Sequence, residues 1–295
     1  MTLSNMLKRW SYKMRNQDKF KQQFNDKVAV ITGAASGIGR ALAHQLAEQG
    51  CHLALADRDI VALNTVKDEL SAFDIQCLIE ELDVSDNQAV IHFSQRVNNE
   101  LSGVDMLFNN AGVSLIDSVE NQSLQDFHWL MNINFWGVVH GSHAFLPYLK
   151  KSPKAHLVNV SSLFGLLSLP LQSAYNSSKF AVRGFTESLK MEMAGSNVGV
   201  HCVHPGGIKT NITNSAKISS PHVSKSKILS DFNKQAKTTA DQAAEVILQG
   251  LAKNKRRILI GNDAKLLDRI VRWFPATYEK ILGFEKGVIA KRRGQ

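Results

Sequence analysis

The chain has only three cysteines, Cys51, Cys77 and Cys202. They are far apart, odd in number and without metal-ligand spacing. This argues against a disulfide framework or a thiolate-held metal and predicts a cytoplasmic protein with three small buried thiols. No apolar run approaches the roughly 18 residues that a membrane-spanning helix needs. The N-terminus lacks the apolar centre of a secretory signal. Internal repeats, low-complexity stretches and nucleic-acid modules are also missing, so no nucleic-acid partner is expected.

What is present is ordinary for one soluble α/β domain with extensions: 295 residues, 44% of them hydrophobic. The formal net charge of +9 is uneven. Residues 1–30 carry seven Lys/Arg against two Asp/Glu and residues 250–295 carry twelve against four, so the span between them is net acidic. Basic ends on an acidic body suit an anionic membrane surface or an acidic partner, or are simply solvated charge. Before residue 25, Leu3, Met6, Leu7, Trp10 and Met14 recur at helical spacing, which predicts a short basic amphipathic helix.

From Lys27 onward, short β-branched runs alternate with helical patterns. Strands are expected at Val28–Thr32, His52–Ala56, Gln76–Leu82, Val104–Phe108, His156–Ser161, Val198–Val203 and Arg257–Ile260. Helices are expected at Gly37–Gln49, Ile60–Ser71, Asn87–Glu100, Ser123–Lys150, Ala174–Ala194 and Thr239–Ala252, the last opening with Thr239 and Gln242 at capping-box spacing. Such alternation implies a doubly wound, mostly parallel seven-stranded sheet with helices on both faces, Rossmann-like in outline. Ligands bind such sheets at the carboxyl ends of the strands, where the polar motifs of this chain fall.

The first strand runs into Thr32-Gly33-Ala34-Ala35-Ser36-Gly37-Ile38-Gly39 and then a helix. Glycines permit a tight turn and a close approach to a pyrophosphate, and the helix N-terminus offers free N–H groups. The spacing is G-x-x-x-G-x-G rather than G-x-G-x-x-G. Asp57 ends the second strand, where a carboxylate accepts from both adenosine ribose hydroxyls and repels a 2′-phosphate, favouring NAD over NADP. The competing reading is a helix cap, since Asp57 and Asp59 both precede a helix. Arg58 keeps NADP possible. Asp83, with Val84 beside it, is placed to meet the adenine. In Asn109-Asn110-Ala111-Gly112 the small residues let the chain pass close to a cofactor, Asn110 being the contact candidate and Asn109 a tie between strands.

Tyr175 and Lys179 lie four residues apart on a predicted helix and share one face. A tyrosine of pKa about 10 is a poor base at neutral pH, and a nearby ammonium favours the phenolate. The pair is therefore a candidate for proton transfer. Ser162 follows the fifth strand and is placed to bond a reacting oxygen.

Together these motifs resemble the short-chain dehydrogenase/reductase family over about residues 25–262. The match comprises Thr32–Gly39, Asn109–Gly112, Asn134 in Ile133-Asn134-Phe135-Trp136-Gly137, Ser161-Ser162, Tyr175-Asn176-Ser177-Ser178-Lys179 and Pro205-Gly206. The resemblance implies an NAD(P)-dependent oxidoreductase acting on a secondary alcohol or ketone. In it Tyr175 is the general acid/base and Lys179 lowers its pKa and binds the nicotinamide ribose. Ser162 orients the substrate oxygen, and Asn134 holds a water, with Asn132 as a rival. Pro205, Gly206, Ile208 and Thr210 line the nicotinamide end. Helix pairing through segments 123–150 and 174–194 implies a homodimer or homotetramer.

Two segments are less defined. Residues 207–238 hold six Lys against one Asp and read as a solvated, mobile lid. The tail from residue 263 is amphipathic and basic, with Leu266, Leu267, Ile270, Val271, Trp273 and Phe274 among Lys265, Arg269 and Arg272. It suits packing over the substrate cleft or a sister subunit, or peripheral membrane contact. The rival to an enzyme is a cofactor-binding regulatory or membrane-recruited protein with little turnover.

Overall fold

A computed structural model describes residues 23–212, 215–218, 226, 230, 232, 234 and 236–283. The expected N-terminal amphipathic helix lies outside these residues, as does the terminal Lys291-Arg292-Arg293.

Strands β1 (Val28–Thr32), β2 (His52–Asp57), β3 (Cys77–Glu81), β4 (Met106–Asn109), β5 (Ala155–Val160) and β6 (Val198–Pro205) alternate with helices α1 (Gly37–Ala47), α2 (Ile60–Leu70), α3 (Asn87–Leu101), α4 (Leu124–Met131), α5 (Gly137–Leu149) and α6 (Ser173–Glu192). Two short strands, β7 (Ile208–Lys209) and β8 (Thr238–Thr239), pair with each other. Helix α7 (Ala240–Ala252), strand β9 (Arg257–Ile260) and helices α8 (Asn262–Trp273) and α9 (Tyr278–Ile281) complete the described chain. The main sheet is parallel in every pairing, in the order β3-β2-β1-β4-β5-β6-β9. The doubly wound, seven-stranded α/β fold expected from the sequence is therefore present.

Strand residues alternate between two cores, as the period of two requires. In β1, Ala29 and Ile31 face one core, with Leu42, Leu46, Leu63, Ile247 and Leu251 from α1, α2 and α7. Val28 and Val30 face the other, with Phe93, Val97, Phe145 and Leu189 from α3, α5 and α6. Burial on both faces explains why β1 reads Val-Ala-Val-Ile-Thr, with no polar alternation. The capping box forms at Thr239 and Gln242.

The expected single helix 123–150 is interrupted. Asn132–Trp136 forms one wide π turn between α4 and α5. Hydrophobic spacing continues through it, so periodicity does not reveal the break. Its cause is the side chain of Asn134, fully buried and tied to the main chain of Val113 on both sides of the amide: Nδ2 donates to the Val113 carbonyl (2.9 Å) and Oδ1 accepts from the Val113 N–H (2.8 Å). Extra-residue turns of this kind concentrate at functional positions.

Candidate active site

A cleft of about 1460 Å³ opens at the carboxyl ends of the strands. It exceeds the roughly 300–1,000 Å³ of ordinary small-molecule sites and has room for an extended, two-part ligand. All the cofactor candidates except Gly39 reach its wall: Gly33, Ser36, Gly37, Ile38, Asp57, Asp83, Val84, Asn110, Pro205, Gly206, Ile208 and Thr210, with Tyr175 and Lys179.

The glycine turn owes much of its sequence to its own packing. A side chain on Gly33 would stand 2.8 Å from Ala111 Cα, and Gly33 also has φ +66°. A Cβ on Gly39 would collide with the Gly33 carbonyl, and Gly39 is buried rather than lining the cleft. Of the two roles expected of these glycines, Gly39 serves the tight turn, which it lets close on itself. Ser36 caps α1 without a side-chain bond, and no acidic residue occupies the first turn. That leaves a helix N-terminus facing the cleft, suited to an anion.

Asp57 is held rather than capping. Its Oδ2 accepts from Ala35 N–H (3.0 Å) and its Oδ1 from Asp59 N–H (3.1 Å), while Asp59 itself caps α2. Two bonds leave the carboxylate with acceptor capacity toward the cleft. Arg58 is exposed beside it and also lines the cleft. Asp83 accepts from the N–H and hydroxyl of Ser85. Asn110 Nδ2 donates to the carbonyls of Thr32 and Gly33, bracing the turn. Asn109 is buried among Ser142, Asn159 and Val138, the structural tie expected of it.

At the other end, Ser162, Tyr175 and Lys179 converge. Ser162 ends the loop after β5, and its Oγ accepts from Phe164 N–H, opening the 3₁₀ turn Leu163–Gly165. Tyr175 is half-buried on the first turn of α6, edge-on to Phe164. Lys179 is buried, its Nζ donating to the Val160 carbonyl (3.1 Å) and lying 5.6 Å from the centre of the Tyr175 ring. A side chain on Gly112 would touch both Asn134 Oδ1 (3.3 Å) and Lys179 Nζ (3.4 Å), so these polar heads flank one small gap.

The electrostatics differ from the sequence expectation. Burial pushes the Tyr175 phenol up to about 12, opposed by a hydrogen bond from Ser162. Burial pushes Lys179 down to about 8. The desolvation that raises the phenol also disfavours the ammonium that would lower it. Burial thus drives both groups toward neutrality.

Several participants were not legible in sequence. His204 is fully buried, with Nδ1 3.0 Å from the Ser162 carbonyl. Asp263, at the start of α8, accepts from Gly207 N–H through Oδ2 (2.7 Å), and a Cβ on Gly206 would collide with that carboxylate. Leu171, before α6, has a left-handed φ of +66° and lines the cleft. The tail packs on the catalytic domain: Leu267, Val271 and Tyr278 join Leu163, Leu166 and Leu167, and Leu267 and Leu282 reach the cleft wall. Within the expected lid segment, Lys217, itself exposed, pairs with Asp126 (2.7 Å) and stands 4.0 Å over the Trp129 ring. Among the described residues no group of His, Cys, Asp and Glu suited to a metal occurs.

The family model described as short chain dehydrogenase matches residues 27–220. A putative oxidoreductase, SadH, of Mycobacterium tuberculosis is 40% identical over 261 residues, covering 88% of this chain and 95% of that one. A short-chain dehydrogenase/reductase from Burkholderia phymatum in complex with NAD superposes with a TM-score of 0.80 at 32% identity, covering 85% and 95% of the two chains. An alcohol dehydrogenase from Thermococcus sibiricus complexed with 5-hydroxy-NADP gives 0.69 at 28% identity, covering 79% and 95%.

Proposed function

Since this chain belongs to the short-chain dehydrogenase/reductase family of oxidoreductases, we propose that it interconverts a lipophilic secondary alcohol and its ketone with a nicotinamide cofactor. The observation that carries this reading is one continuous cleft. Its glycine turn and Asp57 lie at one end, and Ser162, Tyr175 and Lys179 lie at the other.

The residues present fit a dinucleotide. The uncapped N-terminus of α1, with Ser36, Gly37 and Ile38, faces a pyrophosphate, while Gly33 and Gly39 shape the turn behind it. Asp57 accepts from the adenosine ribose, which favours NAD; Asp83, Val84 and Asn110 line the adenine side. Pro205, Gly206, Ile208 and Thr210 border the nicotinamide end. Bound there, the cofactor supplies or accepts the hydride at the substrate carbon.

The chain's own groups handle the proton and the oxygen. In reduction the Tyr175 hydroxyl gives its proton to the developing alkoxide; in oxidation it takes the proton of the alcohol. Ser162 donates to the same oxygen. Lys179 positions the ribose hydroxyls, and its charge stabilises the phenolate. Asn134 fixes the Val113 loop and the gap beside Lys179. Ile116, Leu163, Phe164, Leu167 and Leu169 line the cleft and suit an apolar substrate body. Helices α4 to α6 leave Leu124, Trp136, Phe180 and Met191 exposed, which supports pairing of two or four copies. We place the protein on the cytoplasmic side, where its cofactor would be found.

The test is NADH formation across a panel of secondary alcohols, for wild type and Tyr175→Phe. Turnover by the first and a loss of about a thousandfold or more in the second supports the reading. Equal rates from the two proteins would overturn it.

A further inference from the structure

Helices α8 and α9 present two different faces. The inward stripe of α8 is Ala264, Leu267, Asp268 and Val271, packed on the substrate end of the cleft. The outward side carries Lys265, Leu266, Arg269, Arg272 and Trp273, all exposed. At the corner before α9, Trp273 is 78% exposed and Phe274 50%; Leu266 is 58% exposed and Ile281 51%. Four large apolar side chains on one small hairpin are more than scattered surface residues explain.

The charges on this hairpin are sorted. Both acidic side chains of α8 are engaged by the protein, Asp263 at the surface and Asp268 in the interior. Asp263 receives the Gly207 N–H, and Asp268 is buried against Arg257, with Arg272 reaching back to its other oxygen (3.2 Å). These contacts leave Lys265 and Arg269 as exposed cations of the outer face of α8, with the Trp273-Phe274 corner between them and α9, whose exposed charges are Glu279 and Lys280. Aromatic and aliphatic groups interleaved with cations suit the headgroup layer of an anionic bilayer, where rings lie at the acyl boundary and cations meet phosphates. A second copy fits less well, because a two-fold contact would set Lys265 and Arg269 against their own counterparts.

We propose that the α8–α9 corner docks on an anionic lipid surface. Leu267 and Leu282 of the same hairpin line the cleft, so docking would set the cleft beside the bilayer. A lipophilic substrate would then enter from the membrane rather than from water. The substrate statement rests on the oxidoreductase reading above; the docking does not.

The experiment is sedimentation of the full-length protein with vesicles of phosphatidylcholine alone and of phosphatidylcholine with phosphatidylglycerol. Wild type should partition to the phosphatidylglycerol vesicles only. Trp273→Ala/Phe274→Ala should lower that partition about tenfold or more. Lys265→Gln/Arg269→Gln should lower it to a similar degree and weaken its salt dependence. Quenching of Trp273 by brominated lipid, lost in Trp273→Phe, would place the corner in the acyl boundary. Equal partition to both vesicles, or by both double variants and wild type, would overturn the proposal. So would a fall from dimer to monomer in Trp273→Ala/Phe274→Ala with no vesicle binding by wild type, which would give the face to a second copy. Turnover of a water-soluble ketone should be the same in wild type and the aromatic variant. If no protein turns over any ketone, the oxidoreductase reading fails while the vesicle result still decides docking.

Discussion

His204 and the backbone carbonyl of Ser162 lie 3.0 Å apart, nitrogen to oxygen, with the imidazole wholly buried. A carbonyl only accepts, so Nδ1 carries the proton and the other ring nitrogen is bare. Burial holds the ring neutral, pushing it down to about 4. His204 touches no part of the cleft; it is a positioning residue for Ser162. His204→Asn retains a donor near the Nδ1 position, whereas His204→Phe leaves the carbonyl without one, at a cost of about 1–3 kcal/mol. The Phe variant should lose about tenfold or more in kcat with KM little changed, and Asn should restore most of it. Steady-state kinetics with melting temperatures separates this from general unfolding; equal kcat in Phe and Asn variants would argue against it.

Asp263 ties the tail to the Gly206-Gly207 turn, which lines the cleft at its proposed nicotinamide end. Its carboxylate receives Gly207 N–H at 2.7 Å and fills the space where a Gly206 side chain would stand. Asp263→Ala should free that turn and weaken cofactor binding by about three- to tenfold, consistent with one charged hydrogen bond. Asp263→Asn should fall between. Titration of cofactor by fluorescence measures it, and unchanged affinity in Asp263→Ala would show that the contact is only packing.

These two contacts also mark where sequence reading ends. Parallel pairing, the strand count of the main sheet and the cleft's location follow from local pattern, because the first five strands each lead into a helix. The motifs Gly33–Gly39, Asn109–Gly112 and Tyr175–Lys179 each follow a strand or open a helix, and all three border the one cleft. The His204–Ser162 and Asp263–Gly207 contacts join residues 42 and 56 positions apart, and no local pattern encodes them. The π turn at Asn134 arises from a bond to Val113, 21 positions away, while its hydrophobic spacing remains helical. The rise of the Tyr175 pKa was missed because a four-residue spacing shows proximity and not burial.

Cofactor choice should turn on the charge of Asp57 rather than its shape. Asn keeps one acceptor for the neighbouring backbone N–H groups, so Asp57→Asn removes the repulsion of a 2′-phosphate with limited damage to the turn. The ratio of NADP to NAD affinity should rise about tenfold, and Arg58, exposed beside it, should contribute to the gain. Titrating both cofactors against both proteins decides it. A wild type that already prefers NADP would refute the assignment.

Acid should destabilise the fold through buried histidines. His201 Nδ1 lies 2.8 Å from the Lys255 carbonyl and so carries a proton; its Nε2 therefore accepts from His156 Nδ1, 2.9 Å away. Burial pushes His156 down to about 3 and His201 down to about 4. The folded form then binds fewer protons than the unfolded chain between about pH 6.5 and 4, so stability falls as pH drops through that window. His156→Gln should shallow the slope. Urea melts at several pH values test it, and identical slopes in both proteins would remove the pair from the explanation.

Lys179 should oppose stability where it serves chemistry. Its folded pKa is depressed to about 8, while the unfolded lysine stays charged to about 10.5. Below pH 8 the fold buries a cation with no carboxylate partner among the described contacts; between about pH 8 and 10.5 the folded form sheds that proton first, so this group's penalty is relieved as pH rises. Lys179→Met removes the penalty and keeps the volume. Without cofactor it should melt at or above the wild-type temperature at pH 7, with the difference shrinking by pH 10, while turnover falls about a thousandfold or more. The loss of one hydrogen bond to the Val160 carbonyl works against this gain but does not vary with pH in the same way. Thermal melts at the two pH values read it directly. A variant less stable than wild type by the same margin at both would mean that the amine is neutral, or its charge compensated, throughout.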